Sequence, residues 1–211
     1  MDVLGLYRPL PRSVRLHTRI RAWTCPLAAV VERAPRSGRL LEVGSGHGLF
    51  ANAVALAHPG LDVLGIDPDP RKVVSAEATV GARTRVRFRR GYLGDVPESG
   101  FDAVAVLDVL YLVPRGDWPS FLRGLFERLR PGGRLLLKDV EPRPRWKFYR
   151  CLAQEALSVR LLGITHGGAF AFVPRAEMET LLRDAGFTGV RATGLGRGYL
   201  TPHVLYEAER P

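Results

Sequence analysis

The chain has 211 residues, of which 46% are hydrophobic and 25% charged, a balance that excludes a disordered or fibrous protein. The two cysteines form no CxxC motif, which excludes a disulfide framework and a zinc site, and no stretch reaches the ~20 apolar residues of a membrane span. The net charge of +10 lies mainly in the flanks, because residues 1–39 contain eight arginines and two acids. Such flanks attract nucleic acid, anionic lipid or an acidic substrate, or reflect a compositional bias, since 28 of the 31 basic residues are arginine.

The first 38 residues read as a helical extension. Residues 12–35 predict one or two helices, with Pro26 as a break or first-turn residue. Residues 1–23 contain arginines throughout and no apolar core for a secretory signal, so we expect a cytoplasmic location.

Between residues 39 and 140, short β-branched runs alternate with amphipathic stretches. The pattern predicts strands at 39–43, 61–67, 85–90, 101–108 and 134–140, and helices at 47–58, 70–81 and 117–130. The last helix is expected to stop at Pro131, Gly132 and Gly133. Strands separated by helices pair in parallel through right-handed crossovers. The predicted fold class is therefore α/β, with a doubly wound sheet.

The rest of the chain adds an insert and a sheet edge. Residues 146–163 predict a helix that is followed by a glycine-containing loop at 164–170. Residues 174–186 predict another helix, and the last two runs predict an antiparallel strand pair at 187–196 and 202–209. We expect one domain with four parts: extension 1–38, core 39–140, insert 141–173 and C-terminal unit 174–211.

The segment LLEVGSGHGLF, residues 40–50, places three glycines directly after the first strand, where open α/β sheets bind ligands. Glycines let a ligand approach the backbone, and the helix they open attracts a carboxylate or phosphate. A dinucleotide loop needs a third glycine where Leu49 stands, and a nucleoside triphosphate loop needs a lysine that does not follow here. Asp67 ends the second strand, where a carboxylate accepts both hydroxyls of a ribose.

Four segments carry a more specific resemblance: LLEVGSGHG (40–48), VLGIDPDP (63–70), FDAVAVLDVLYLV (101–113) and LRPGGRLLLKD (129–139). Together they resemble the motifs of the class I S-adenosylmethionine-dependent methyltransferases. The resemblance implies a Rossmann-like sheet of seven strands in the order 3-2-1-4-5-7-6, with an antiparallel last strand. It also implies S-adenosyl-L-methionine as the cofactor.

The resemblance further implies which residues hold the cofactor. The methionine portion would be surrounded by Glu42 and by the loop residues Gly44, Ser45, Gly46, His47 and Gly48, where His47 is expected to shape the helix start. The ribose would be held by Asp67, and the adenine would be bordered by Pro68, Tyr92 and Leu93. The methionine ammonium and the methyl group would lie near Asp108 and Val109. The family often has an acid where Tyr92 stands, so adenine recognition departs from the pattern.

The expected activity is methyl transfer to a small-molecule or lipid-like acceptor. A hydroxyl acceptor needs a proton acceptor, for which the sequence offers three weak candidates: His166, His203 and Tyr111. The apolar and basic insert predicts a lid, peripheral contact with an anionic membrane, or an ordinary packed helix. Two alternatives stay open. One is an RNA methyltransferase, although the sequence after the fourth strand has no [ND]PP[YF] tetrad, the motif for methylating amino groups of bases. The other is a cofactor-binding module without turnover.

Overall fold

Seven strands form one mixed sheet in the order β3-β2-β1-β4-β5-β7-β6 in the computed structural model, which describes residues 2–142 and 172–211. The strands are β1 Ser37–Val43, β2 Gly60–Asp67, β3 Val86–Arg90, β4 Phe101–Leu107, β5 Leu129–Val140, β6 Thr188–Gly194 and β7 His203–Glu209. Strands β1 to β5 pair in parallel, and β7 is antiparallel to both β5 and β6. The predicted fold class, strand order and antiparallel last strand are confirmed.

Six α-helices accompany the sheet within the described ranges: α1 Arg12–Thr24, α2 Leu27–Val31, α3 Leu49–Ala57, α4 Pro70–Glu77, α5 Trp118–Arg128 and α6 Arg175–Asp184. Short 3-10 turns cover Val3–Tyr7, Leu93–Asp95, Leu110–Leu112 and Arg115–Asp117. The predicted insert helix at 146–163, the loop at 164–170 and the candidate His166 lie outside the described residues.

Two apolar layers cover the two faces of the sheet, as the near-continuous apolar strands require. One layer packs α5 and α6 against the sheet through Trp118, Leu122, Leu125 and Leu182. The other packs α2, α3 and α4 through Val30, Phe50, Val54 and Val73. Because both faces are covered, a ligand reaches the sheet at the carboxyl ends of the strands.

The expected helix stop at Pro131–Gly133 is wrong, because this segment belongs to the sheet. Helix α5 ends at Arg128 and β5 begins at the next residue. Gly132 N donates to Arg210 O at 2.7 Å, and Arg210 N donates to Gly133 O at 2.9 Å. The C-terminal end of the chain therefore pairs with backbone that the local sequence marks as a turn.

Helix α3 begins two residues later than expected. Gly46 and Gly48 have φ of 55° and 77°, and this left-handed backbone is incompatible with a helix interior. The glycine segment is consequently a loop that delivers the chain from β1 to the first turn of α3.

Candidate active site

A cavity of about 910 Å³ opens at the carboxyl ends of β1, β2 and β4. Its wall combines the glycine loop, the segments that follow β2, β3 and β4, and one side of α1. The structure brings most of the sequence-predicted site residues to this wall: Glu42, Gly44, Ser45, Gly46, His47, Asp67, Pro68, Tyr92, Leu93, Asp108, Val109 and Tyr111. Residues far apart in the sequence thus converge at the edge where a doubly wound sheet binds ligands.

The glycine loop is held by the neighbouring strand. Gly44 N and Ser45 N both donate to Ile66 O in β2, at 2.8 and 2.9 Å. A Cβ at Gly44 would collide with the Val109 side chain, whereas Gly46 has open space beside its Cα. The loop therefore fits closely against the segment after β4 and presents bare backbone elsewhere.

Gly48 serves the fold and does not line the cavity. Its φ is 77°, and a Cβ there would collide with the Phe88 ring of β3 and lie 3.1 Å from Ala76. The glycine allows α3 to start close against the sheet, and its predicted place beside the cofactor stays a prediction.

The N-terminal turn supports the loop from behind. The buried Tyr7 hydroxyl donates to His47 O at 2.9 Å and accepts from Asn52 Nδ2 at 3.0 Å. Through this one hydroxyl, the turn before α1 is joined both to the glycine loop and to helix α3.

Asp67 is buried at the end of β2 and organises the loop through both carboxylate oxygens. Oδ2 accepts from Gly46 N at 2.8 Å, and Oδ1 accepts from Asp69 N at 2.9 Å. A carboxylate has about four acceptor positions. Because the backbone bonds occupy two of them and the residue lines the cavity, Asp67 keeps acceptor capacity for the two hydroxyls of a ribose.

Glu42 lies buried at the end of β1, where its Oε2 accepts from Ala51 N at 3.0 Å in the first turn of α3. Burial raises the pKa of the Glu42 carboxyl to about 8, although the bond from Ala51 acts in the opposite direction. Glu42 is therefore largely protonated at neutral pH and can donate a hydrogen bond into the cavity that it lines.

Asp108 follows β4 with a φ of 58°, and its buried carboxylate lies between two cations. Lys138 Nζ lies 2.5 Å from Oδ1, and Arg21 Nη2 lies 2.6 Å from Oδ2. Burial alone would raise the pKa of Asp108, but the charges of Lys138 and Arg21 hold this pKa well below its usual range. Both oxygens contact cations of the chain itself, so Asp108 holds Arg21 at the cavity wall. Its predicted place near the ammonium of the cofactor stays a prediction.

This buried cluster carries a surplus of positive charge. Burial, and then the charge of Asp108, raise the pKa of the neighbouring Asp139 to about 8, so this carboxyl is mainly protonated at pH 7. The cluster therefore contains two cations, Arg21 and Lys138, and one ionised carboxylate, Asp108. Arg21 lines the cavity, where a ligand carboxylate would balance its charge.

The predicted site residues include none from α1, although this helix forms part of the wall. The cavity-lining residues of this helix are His17, Thr18, Ile20, Arg21 and Thr24. The His17 ring meets the His47 ring edge-on, with centroids 5.2 Å apart. The sequence contains one signal for this position, because helical spacing places Arg21 on the same face as Val14 and Thr18. The signal is weak, since the segment contains many other arginines.

His203 does not reach the cavity, so its candidacy as a proton acceptor there is corrected. Its Nε2 atom lies 2.8 Å from Thr24 O, and the side chain is buried. Burial, and then the charge of Lys138, lower the pKa of His203 to about 4, so the ring stays neutral. The imidazole joins the C-terminal end of α1 to β7.

Tyr111 is the predicted proton-acceptor candidate that the described structure places on the cavity wall. Its ring is buried and stacks on Phe172, with centroids 5.2 Å apart.

On the expected adenine side, Tyr92 is 70% exposed and Leu93 is buried, and both line the cavity. The nearby acid, Asp95, does not line it; its Oδ2 accepts from Tyr92 N at 2.8 Å.

Two polar atoms of the glycine loop are buried without a hydrogen-bond partner in the described part of the chain: Ser45 Oγ and His47 Nδ1. Burial, and then the charge of Lys72, lower the pKa of His47, so the imidazole is neutral at pH 7. A buried polar atom without a partner costs about 1–3 kcal/mol, which a polar ligand offsets. Together with Asp67 and Arg21, these atoms fit a ligand that bears a carboxylate and neighbouring hydroxyls.

Comparison with known proteins identifies the family. A family model described as a methyltransferase domain matches residues 15–192, most of the chain. The chain belongs to this methyltransferase family. The methyltransferase uses S-adenosyl-L-methionine, whose carboxylate and ribose hydroxyls match the groups that line the cavity.

Relatives and solved structures agree with this assignment. The methyltransferase is 29% identical over 178 residues to a ubiquinone biosynthesis O-methyltransferase of Pseudomonas fluorescens (strain SBW25), covering 82% of this chain and 74% of the relative. The crystal structure of the S-adenosylmethionine-dependent methyltransferase SibL matches with a TM-score of 0.73 and 26% identity, over 99% of this chain and 62% of SibL. Human N-acetylserotonin methyltransferase, solved with S-adenosylmethionine, shares the fold with a TM-score of 0.66 and 19% identity, over 90% of this chain and 52% of the human protein.

Within the described ranges, every helix is too short or too polar to cross a bilayer. The same ranges contain no group of three or more histidine, cysteine or acidic side chains arranged to hold a metal ion.

Proposed function

We propose that the methyltransferase transfers a methyl group to a hydroxyl oxygen of a small, largely apolar acceptor. The observation that carries this proposal is the apolar wall beyond Val109, which is lined by Tyr111, Leu112, Val113 and Phe121, with Ile20 of α1. Few polar groups lie in this part of the wall, so it favours an acceptor with a hydrocarbon skeleton.

The size of the cavity is consistent with two ligands. Ligand sites span roughly 300–1,000 Å³, and a cavity of about 910 Å³ lies near the top of that range. The polar groups lie around the glycine loop and Asp67, while the segment after β4 is mainly apolar. We therefore assign the polar part to the cofactor and the apolar part to the acceptor.

The chain contributes mainly by orientation. S-adenosyl-L-methionine supplies an electrophilic methyl group, and alignment of the acceptor oxygen at near-attack distance lowers the barrier by several kcal/mol. Arg21 holds the carboxylate end of the cofactor, Asp67 holds its ribose, and the stacked Tyr111 borders the acceptor. The name of the Pseudomonas fluorescens relative, an O-methyltransferase, supports oxygen as the atom that receives the methyl group.

The test is transfer from methyl-labelled cofactor into separate lipid, small-molecule and RNA fractions of a cell extract. We expect label in an organic-soluble product that resists mild alkali, as an O-methyl ether does and a methyl ester does not. Asp67→Asn should lower incorporation by about tenfold at a cofactor concentration well below saturation.

Label in RNA would support the RNA methyltransferase alternative and overturn this proposal. Cofactor binding measured by calorimetry, without label in any fraction, would indicate a binding module. The two measurements together separate the three activities.

A further inference from the structure

Helix α1 exposes three large apolar side chains on the face opposite its buried residues. Its buried positions include Val14 and Thr18, while the charged Arg21 lies half-buried in the cavity wall. The opposite face exposes Leu16 by 61%, Ile20 by 48% and Trp23 by 78%. These three residues are spaced i, i+4 and i+7, so they form one continuous stripe. A contiguous exposed apolar stripe marks an interaction surface, unlike a single exposed leucine.

Arginines flank this stripe. A groove of about 590 Å³ between the Val3–Tyr7 turn and α1 is lined by Arg8, Arg12, Arg15 and Arg19, together with Leu4 and Leu16. The acid that lines the groove in the described structure is Asp2, which pairs with Arg8 at 3.5 Å. The other three arginines have no carboxylate partner among the described residues. The partner that fits them is densely anionic.

The stripe adjoins the mouth of the active-site cavity. Ile20 belongs both to the exposed stripe and to the cavity wall, and the exposed Leu112 lines the cavity as well. Exposed apolar side chains therefore lie between the surface of α1 and the cavity. An apolar molecule that moves from this surface into the cavity would contact them.

We propose that α1 and the arginine groove form a docking surface for an anionic phospholipid bilayer. Leu16, Ile20 and Trp23 insert between the headgroups, while Arg12, Arg15 and Arg19 contact lipid phosphates. This arrangement has the chemistry of an interfacial helix, which combines an apolar stripe with flanking cations. An RNA partner would use the arginines but would leave the leucine and isoleucine of the stripe exposed. The surface does not depend on the proposed acceptor, because bilayer binding is measured without turnover.

The experiment is co-flotation of the full chain with vesicles of phosphatidylglycerol and phosphatidylcholine, compared with phosphatidylcholine alone. We expect binding to the anionic vesicles only, weakened by salt. The double substitution Leu16→Ser and Trp23→Ser should weaken binding by at least about tenfold, since two large apolar side chains lose their buried environment. Arg15→Gln and Arg19→Gln should each weaken it by about fivefold.

Matched controls are Val74→Ser, which removes a 64% exposed apolar side chain from α4, and Arg123→Gln on α5. Both should bind as the unmodified chain does. Trp23 supplies an independent signal once it is distinguished from the other two tryptophans: Trp118 is fully buried, and Trp146→Phe removes the emission of the third. Lipids with brominated chains should quench part of the tryptophan emission, and Trp23→Phe should remove that part.

Three results would overturn the proposal. In the first, the controls lose as much binding as the α1 variants. In the second, the chain floats with vesicles but Trp23 is not quenched, which would assign the contact to another segment, such as 143–171. In the third, sedimentation without lipid shows a dimer that the α1 substitutions dissociate, which would make this face a contact between copies.

Discussion

The guanidinium of Arg21 and the carboxylate of Asp108 join the N-terminal helix to the strand at the centre of the cavity wall, with Nη2 and Oδ2 2.6 Å apart. Because Lys138 binds the other oxygen of Asp108, this contact fixes Arg21 without neutralising the whole cluster. The cavity wall therefore includes a cation from α1, a helix that lies outside the alternating strands and helices of residues 39–140.

Arg21→Gln is expected to weaken binding of S-adenosyl-L-methionine by about tenfold or more, since a charge-assisted hydrogen bond is lost. Isothermal titration calorimetry measures this affinity directly. Arg19→Gln is the matched control, because it removes an arginine from the same helix but from outside the cavity. Equal affinities of the two variants would show that Arg21 acts only in folding.

Asp67→Asn is expected to weaken cofactor affinity by about tenfold, because the amide offers fewer acceptor positions to the ribose hydroxyls. Asp62→Asn is its control on the same strand, near the opposite end, where Asp62 pairs with the exposed Arg85 at 3.3 Å. A calorimetric titration of both variants tests the assignment. An unchanged affinity of Asp67→Asn would contradict the ribose contact.

The fold was predictable because strands and crossover helices each have a characteristic local pattern of apolar residues. Apolar runs such as 101–107 predict buried strands, and the glycines after β1 predict a ligand loop. The start of β5 was not predictable, because Gly132 and Gly133 pair with Arg210 at the far end of the chain. Local turn chemistry gives no information on such a partner.

The site was predictable in part for the same reason. Glu42, Asp67 and the loop glycines stand at fixed distances from strand ends, so sequence spacing places them together. The position of Arg21 depends instead on how α1 docks, and α1 is held by distant groups such as Asp108 and His203. Tertiary contacts of this kind have no periodic signature in the sequence.

Stability without cofactor is expected to fall as the pH rises through the range in which Glu42 ionises. The pKa of Glu42 is raised from 4.5 to about 8, so between these values the folded chain holds a proton that the unfolded chain has released. This group then lowers the free energy of unfolding by up to about 1.4 kcal/mol per pH unit. Glu42→Gln should flatten the slope in urea unfolding measured from pH 5 to pH 8.

Glu77→Gln, on the exposed side of α4, is the control for this pH dependence and should leave the slope unchanged. A Glu42→Gln slope identical to that of the unmodified chain would mean that Glu42 is ionised in the folded state at neutral pH.

Gly48→Ala is expected to lower the free energy of unfolding by more than about 2 kcal/mol. It combines a left-handed φ of 77° with a collision against Phe88, and each of these costs about 1–2 kcal/mol or more. Gly81→Ala isolates the first contribution, because Gly81 has a φ of 58° and open space around it. Urea unfolding of both variants should show the larger loss for Gly48→Ala, and equal losses would remove the packing argument.

The contact of the Tyr7 hydroxyl with His47 O and Asn52 Nδ2 makes the first turn of the chain a brace for the glycine loop. A side chain that touches no cofactor thereby fixes the carbonyl of a residue that lines the cofactor cavity. Sequence variation before α1 can consequently alter the shape of the loop while every cofactor-contacting residue stays the same. In this methyltransferase, the turn Val3–Tyr7 therefore supports the glycine loop without itself lining the cofactor cavity.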